Sequence, residues 1–217
     1  MRKVFQADLQ QIGEELIEMA NQVAVAMDRA WESLANADVE LAQEVIAADA
    51  KIDFLHNQLD ERAIDTLALQ GPVASDLRMI VGSLRMSASL ERMGDLARHL
   101  AQLTRLRFPS RALPSEITGT FSQMAQLDIQ IAQAVAKLLD TRDLQIARDI
   151  IELNHRLDAL HASVFTQVAD EAWTANAPTT VDVSLTSRYL ERFGDHGVSV
   201  ARKVTYLVTG EWDPSEV

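Results

Sequence analysis

DVELAQEVIAADAKIDFLHNQLDERA, residues 38–63, carries apolar side chains at Leu41, Val45, Ala48, Ile52, Leu55, Leu59 and Ala63. Steps of four and three residues put these on one stripe of an α-helix that packs against partners along its length. The same pattern returns 105 residues later in DLQIARDIIELNHRLDALHASVFTQV, residues 143–168, with Ile146, Ile150, Leu153, Leu157, Leu160, Val164 and Val168 at the equivalent positions. Polar marks travel with the stripe: Asp38 maps to Asp143, Asp49 to Asn154, Asp53 to Asp158 and His56 to His161. A stripe that recurs with its polar marks in register is an internal duplication. Asp38 and Asp143 also stand where a short carboxylate caps a helix start.

Outside these stretches the 217-residue chain is sparsely punctuated, with 8 Gly and 5 Pro. Gly71-Pro72, the linker RFPSRALPS (107–115), NAP (176–178) and Gly210 fall where helices would turn. The pattern predicts six helices over 7–36, 38–69, 73–107, 115–140, 143–173 and 179–208. Alternating β-branched and aromatic residues are missing, which argues against a sheet. Met19-Ala20 repeats as Met124-Ala125 at the offset of 105, and Leu90 as Leu190 at 100. The expected fold is therefore all-α, two tandem, sequence-related three-helix bundles spanning 1–108 and 109–217.

A formal charge of -12 with no Lys/Arg run argues against nucleic acid and against anionic membranes as partners. The absence of cysteine excludes thiolate chemistry and leaves carboxylate and imidazole as metal ligands, and it suits a reducing cytoplasm. The N-terminal stretch lacks the apolar core of an export signal, and no apolar run is long enough to insert in a bilayer.

LERMGD (90–95) and LERFGD (190–195) are the same string in the two copies but for Met93 against Phe193. Leu90, Gly94, Ala97 and Ala101 give one helix face, repeated by Gly194, Gly197 and Ala201, a small-residue surface that lets helices approach closely. Glu91 and Asp95 stand one turn apart beside that face, as do Glu191 and Asp195. Like charges at this spacing and a mid-helix glycine both oppose helix formation, by a few tenths and about 1 kcal/mol respectively. Both penalties are incurred twice. Asp49, Asp53 and His56 flank the second helix, and Asn154, Asp158 and His161 the fifth. If these shoulders face one another, oxygen-rich sites for iron, manganese, magnesium or zinc result. The alternative is that the acids solvate the seam or pair with Arg92, Arg98, Arg192 and Arg202.

No P-loop, dinucleotide fingerprint, HExxH or GxSxG motif occurs, so no enzyme is expected. A carboxylate-bridged di-metal enzyme needs Glu-x-x-His twice, and only Glu152–His155 matches. His196 reads as a structural histidine as readily as a ligand, and the Met79, Met86, Met93 stripe as packing. Trp31, Trp173 and Trp212 do not cluster. No basic nest or glycine-rich helix start points to an anion site.

LERMGD, LERFGDH, GPVASDLRMI (71–80) and DAKIDFL (49–55) together resemble the PhoU family of phosphate-system regulators, over nearly the whole chain. The resemblance implies a cytoplasmic negative regulator of the phosphate-starvation response and of phosphate uptake. It implies as partners the ATPase subunit of the phosphate ABC importer and the phosphate-sensing histidine kinase. Family E/D-xxx-D motifs can hold multinuclear iron or other metals, although metal-free members exist. Carried over by position, these motifs are Asp49/Asp53 and Glu91/Asp95, then Asn154/Asp158 and Glu191/Asp195. Where the family places Asn four residues after the last acid, this chain has His99 and Ser199, and Asn154 replaces an acid. The two sites therefore need not be equivalent, and the first, with Asp49, Asp53, His56, Glu91 and Asp95, is expected to bind better. A metal-free helical adaptor fits the composition equally, and a homodimer is the commonest assembly for such a fold.

Overall fold

The computed structural model describes residues 2–211, with side chains from residue 5 onward, so Trp212 lies outside the described residues. The chain forms α1 (Arg2–Asn36), α2 (Val39–Gln70), α3 (Ala74–Arg107), α4 (Ser115–Thr141), α5 (Leu144–Val168) and α6 (Ala177–Thr209), with no strand among the described residues. Asp38 Oδ1 accepts from Leu41 N at 3.0 Å and Asp143 Oδ1 from Gln145 N at 2.9 Å, so both expected caps form. Gly71 and Gly210 close α2 and α6 at φ 53° and 78°, the left-handed conformation that glycine adopts without penalty.

Two boundaries differ from the periodic pattern by more than two residues. α1 begins at Arg2 rather than 7, and α5 stops at Val168 rather than 173. Beyond Val168 the chain has a competing set of local bonds. Asp170 Oδ1 accepts from Ala172 N at 2.8 Å, Trp173 Nε1 donates to Thr180 Oγ1 at 2.9 Å, and Asn176 caps α6 through Thr179 N at 2.9 Å. Pro178 then sits in the first turn of α6, where its missing N–H breaks no helical bond.

α1, α2 and α3 pack as one triangle and α4, α5 and α6 as another. The triangles join through α1 against α4 and α3 against α6, which leaves α2 and α5 on the outer edges. α3 and α6 run antiparallel: Arg107 near the end of α3 forks onto Asp182 near the start of α6 at 2.6 and 2.9 Å, and His99 stacks on Tyr189 with ring centroids 5.1 Å apart. The two LER strings consequently lie side by side at the middle of the central helix pair. No described helix is long and apolar enough to cross a membrane.

The seam of α2 is not quite the predicted one. Ala48 is exposed, whereas Ala42, Val45, Asp49, Ile52, Leu55, Leu59 and Ala63 are buried. In α5 the buried set is Ala147, Ile150, Asn154, Leu157 and Val164. Asp49 and Asn154 thus occupy core seats rather than a shoulder, the polar member of an otherwise apolar stripe.

Gly194 of the second string, and Gly197 just beyond it, are packing requirements. A methyl at Gly194 would fall 2.5 Å from Leu157 Cδ2 and onto Asn154 Oδ1, and one at Gly197 onto Ile131 Cγ2. Overpacking of this kind costs about 1–3 kcal/mol, against about 1 kcal/mol regained from helix propensity. Gly194→Ala should therefore lower the Tm by about 2–4 °C in thermal unfolding. Gly82→Ala, whose methyl would meet only the flexible tip of Leu207 at 3.2 Å, should leave it level or higher. A Gly194→Ala protein as stable as its parent would show that the close approach is not needed.

Candidate metal centre

In the first half, α2 supplies Asp49, Asp53 and His56, and α3 supplies Glu91 and Asp95. His56 is anchored by Nδ1 at 2.7 Å from Ser87 Oγ, with Nε2 3.8 Å from Asp60. Asp49 is only 7% exposed. Burial raises its carboxyl above the ordinary range, Arg98 opposes this, and Asp53 and Asp95 add to it. Glu91 is raised in the same way, by burial first and then by Asp95. A cation is already built in: Arg98 Nε lies 2.5 Å from Asp49 Oδ2, and the same guanidinium pairs with Asp95. Arg92 adds contacts of 3.0 Å to Asp95 and 3.4 Å to Glu91. His99 is turned toward Tyr189 of α6, with Nδ1 buried and without a hydrogen-bond partner, and burial lowers its pKa.

The second half keeps the scaffold and changes the charges. His161 Nδ1 lies 2.8 Å from Ser187 Oγ, repeating the His56–Ser87 bond. Asn154, 6% exposed, stands in for Asp49 and reaches Asp158 and Asp195 only through long contacts of 3.4 and 3.5 Å. Position 198, equivalent to Arg98, is a buried valine. With that cation gone, Asp158, Glu191 and Asp195 converge, one oxygen from each lying within 4.8 Å of the others, and such a group could hold a metal ion. Burial and then Asp195 raise the carboxyls of both Asp158 and Glu191. Arg188 pairs with Glu191 at 2.6 Å from the exposed side.

The residues present suit a cation. Asn154 Oδ1 is buried and accepts no hydrogen bond, as is true of both carboxyl oxygens of Asp128 on α4. Asp128 is fully buried, and its pKa is raised well above the ordinary value by desolvation, then by Asp195 and Glu191. No motif marks this residue. The 105-residue offset would have exposed it, because its counterpart is Val23, a core residue. Glu152 and His155, the lone Glu-x-x-His pair, are both exposed on α5, so the inward projection that a di-metal oxidase requires is not met. His196 is half-buried, and burial first, then Arg192 and Arg92 against the opposing Asp195, hold it below the usual imidazole range. Met86 and Met93 are core residues.

Fold and site together define a duplicated helical-bundle protein with an acidic cleft in each half. The sequence pattern of the PhoU domain matches residues 16–104 and 121–204, and the chain belongs to that family. It is 40% identical over 210 residues to the phosphate-specific transport system accessory protein PhoU homolog 2 of Mycobacterium tuberculosis, covering 97% of this chain and 99% of that one. It is 37% identical over 212 residues to the PhoU homolog 1 of Mycobacterium leprae, covering 98% and 96%. Among solved structures, the phosphate transport system regulatory protein PhoU from Streptococcus pneumoniae superposes with TM-score 0.83 at 22% identity, over 96% of this chain and 99% of that one. PhoU from Pseudomonas aeruginosa superposes with TM-score 0.80 at 25% identity, over 95% and 100%.

Proposed function

We propose that this protein is a non-enzymatic accessory regulator of phosphate-specific transport. It holds phosphate uptake and the phosphate-starvation response down when phosphate is plentiful. The observation that carries this reading is the whole-length identity of 40% to a relative named for that system. In this reading it works in the cytoplasm, as a homodimer, as an adaptor between the importer's ATPase subunit and the phosphate-sensing histidine kinase. Its repeats, 1–108 and 109–217, offer the two long outer helices to partners. Deleting the gene should derepress phosphate-regulated genes at high phosphate. Relatives occur as homologues 1 and 2 in one organism, so the strain must lack any second copy. Full repression in that strain would overturn the proposal.

We also propose that a metal ion binds in the second half, on Asp158, Glu191 and Asp195 with His161 beside them. The first-half set, Asp49, Asp53, Glu91, Asp95 and His56, is compensated by Arg98 and binds metal more weakly, the reverse of the order that ligand counting suggests. A bound ion would supply charge neutralisation and tie α5 to α6. Elemental analysis of untagged protein should find metal in the parent, retained in Asp95→Ala and lost in Asp195→Ala. Equal loss in both variants would overturn the asymmetry. A metal-free parent would leave the acids as docking or solvating groups, the adaptor reading without metal.

A further inference from the structure

α4 takes no part in the clusters that helix spacing picks out, yet it carries the most isolated ionisable group described in the fold. Asp128 has no solvent exposure, and neither oxygen has a partner. Buried polar groups in folded proteins are nearly always bonded, so a carboxyl left bare calls for an explanation. Packing does not require it, because the equivalent seat in α1 is filled by Val23 at 1% exposure.

The register shows where Asp128 stands. Ile131 of α4 lies against Gly197 of α6, and in an up-down-up bundle these two helices run parallel. Asp128, three residues earlier, is therefore level with Gly194. Asn154 Oδ1, also buried and unpartnered, lies against Gly194 from α5. The charged groups that act on Asp128 are Asp195 and Glu191, both acids of the cleft above it. Two acceptors without donors, from two helices, thus stand at the level of Gly194, beside the cleft in which Asp158, Glu191 and Asp195 converge.

We propose that Asp128 is the inner ligand of the second-half site, completing with Asn154 Oδ1, from beneath, an oxygen-rich seat for a hard divalent cation whose outer ligands are Asp158, Glu191 and Asp195. This inference rests on the reading of that half as the metal site. Carboxylate and amide oxygens favour Mn²⁺, Fe²⁺ or Mg²⁺ over softer ions. A cation seated there joins α4, α5 and α6, so its binding stabilises the whole second triangle.

The test is equilibrium dialysis of the full chain against Mn²⁺, read by elemental analysis, with the Mn²⁺-dependent rise in Tm measured alongside. The proteins compared are the parent, Asp128→Asn, Asp128→Val and Asp195→Asn. The parent should bind Mn²⁺ and unfold several degrees higher with it, and Asp195→Asn should lose both effects. Both Asp128 variants should bind at least about tenfold more weakly, while unfolding no lower than the metal-free parent. That second readout establishes that they fold. Parent-like Mn²⁺ affinity in both Asp128 variants, with loss in Asp195→Asn, would overturn the inner-ligand role and leave the three-acid site standing. No Mn²⁺ uptake by the parent would overturn both.

Discussion

Arg98→Val should destabilise the protein by about 2–3 kcal/mol at neutral pH, and adding Asp49→Asn should restore most of the loss. Removing one partner of a buried ion pair costs about 3–5 kcal/mol, because the remaining charge is stranded. Arg98 keeps 28% of its side chain exposed, so water offsets part of that figure. The molecule contains the repaired state already: its second half has asparagine at 154 and valine at 198, and folds around them. A double-mutant cycle by urea denaturation should therefore show a coupling of at least about 1 kcal/mol between the two positions. The Arg98→Val penalty should shrink as pH falls toward 4. Asp49 is raised even beside Arg98, so without it the carboxyl takes up a proton still more readily, and a neutral Asp49 has no charge to strand. A double variant no more stable than Arg98→Val would show that Arg98 acts through packing or through Asp95 alone.

This pairing also shows what the sequence made legible and what it hid. The duplication, the six helices and the Asp38 and Asp143 caps follow from local rules, since stripe spacing and cap chemistry act within a few residues. Seat assignment within α2 depends on more than side-chain polarity. Periodicity favoured Ala48 for the seam, but a neighbouring helix can supply a guanidinium to Asp49, and that contact lies 49 residues away in sequence. His99 follows Glu91 by eight residues, which is about 80° round the helix at 3.6 residues per turn. That rotation carries it from the cleft toward α6, where Tyr189 covers it. The join of α3 to α6 had no local signal at all, because it is a contact between copies rather than within one. Asp128 was hidden differently, by standing with no other acid or histidine between residues 121 and 135, where a single acid looks like noise unless the two copies are compared residue by residue.

In metal-free protein, Asp128→Val should raise stability by about 1–3 kcal/mol at pH 7, and the gain should shrink toward pH 4. An unfolded aspartate releases its proton near pH 3.9, whereas the buried carboxyl holds it to much higher pH. Between those two points the native state binds more protons than the unfolded one, so native stability falls as pH rises, by up to about 1.4 kcal/mol per pH unit for one proton. Below pH 4 both states are protonated and the pH-dependent part of the penalty disappears, which leaves the cost of a neutral carboxyl without partners. Asp49, Glu91, Asp158 and Glu191 are raised too and act with the same sign. The parent should therefore lose stability from pH 4 to 8 in chelator, and Asp128→Val should follow a shallower slope. Denaturation at each pH measures the difference, and parallel curves would mean that Asp128 is ionised in the fold and compensated by a group close to it. Adding Mn²⁺ should reverse the ranking, because the cation stabilises only the protein that keeps the carboxylate. Valine at the equivalent seat in α1 shows that an apolar core was available there, so a residue that weakens the empty protein and strengthens the loaded one is what a ligand site, and not a packing accident, requires.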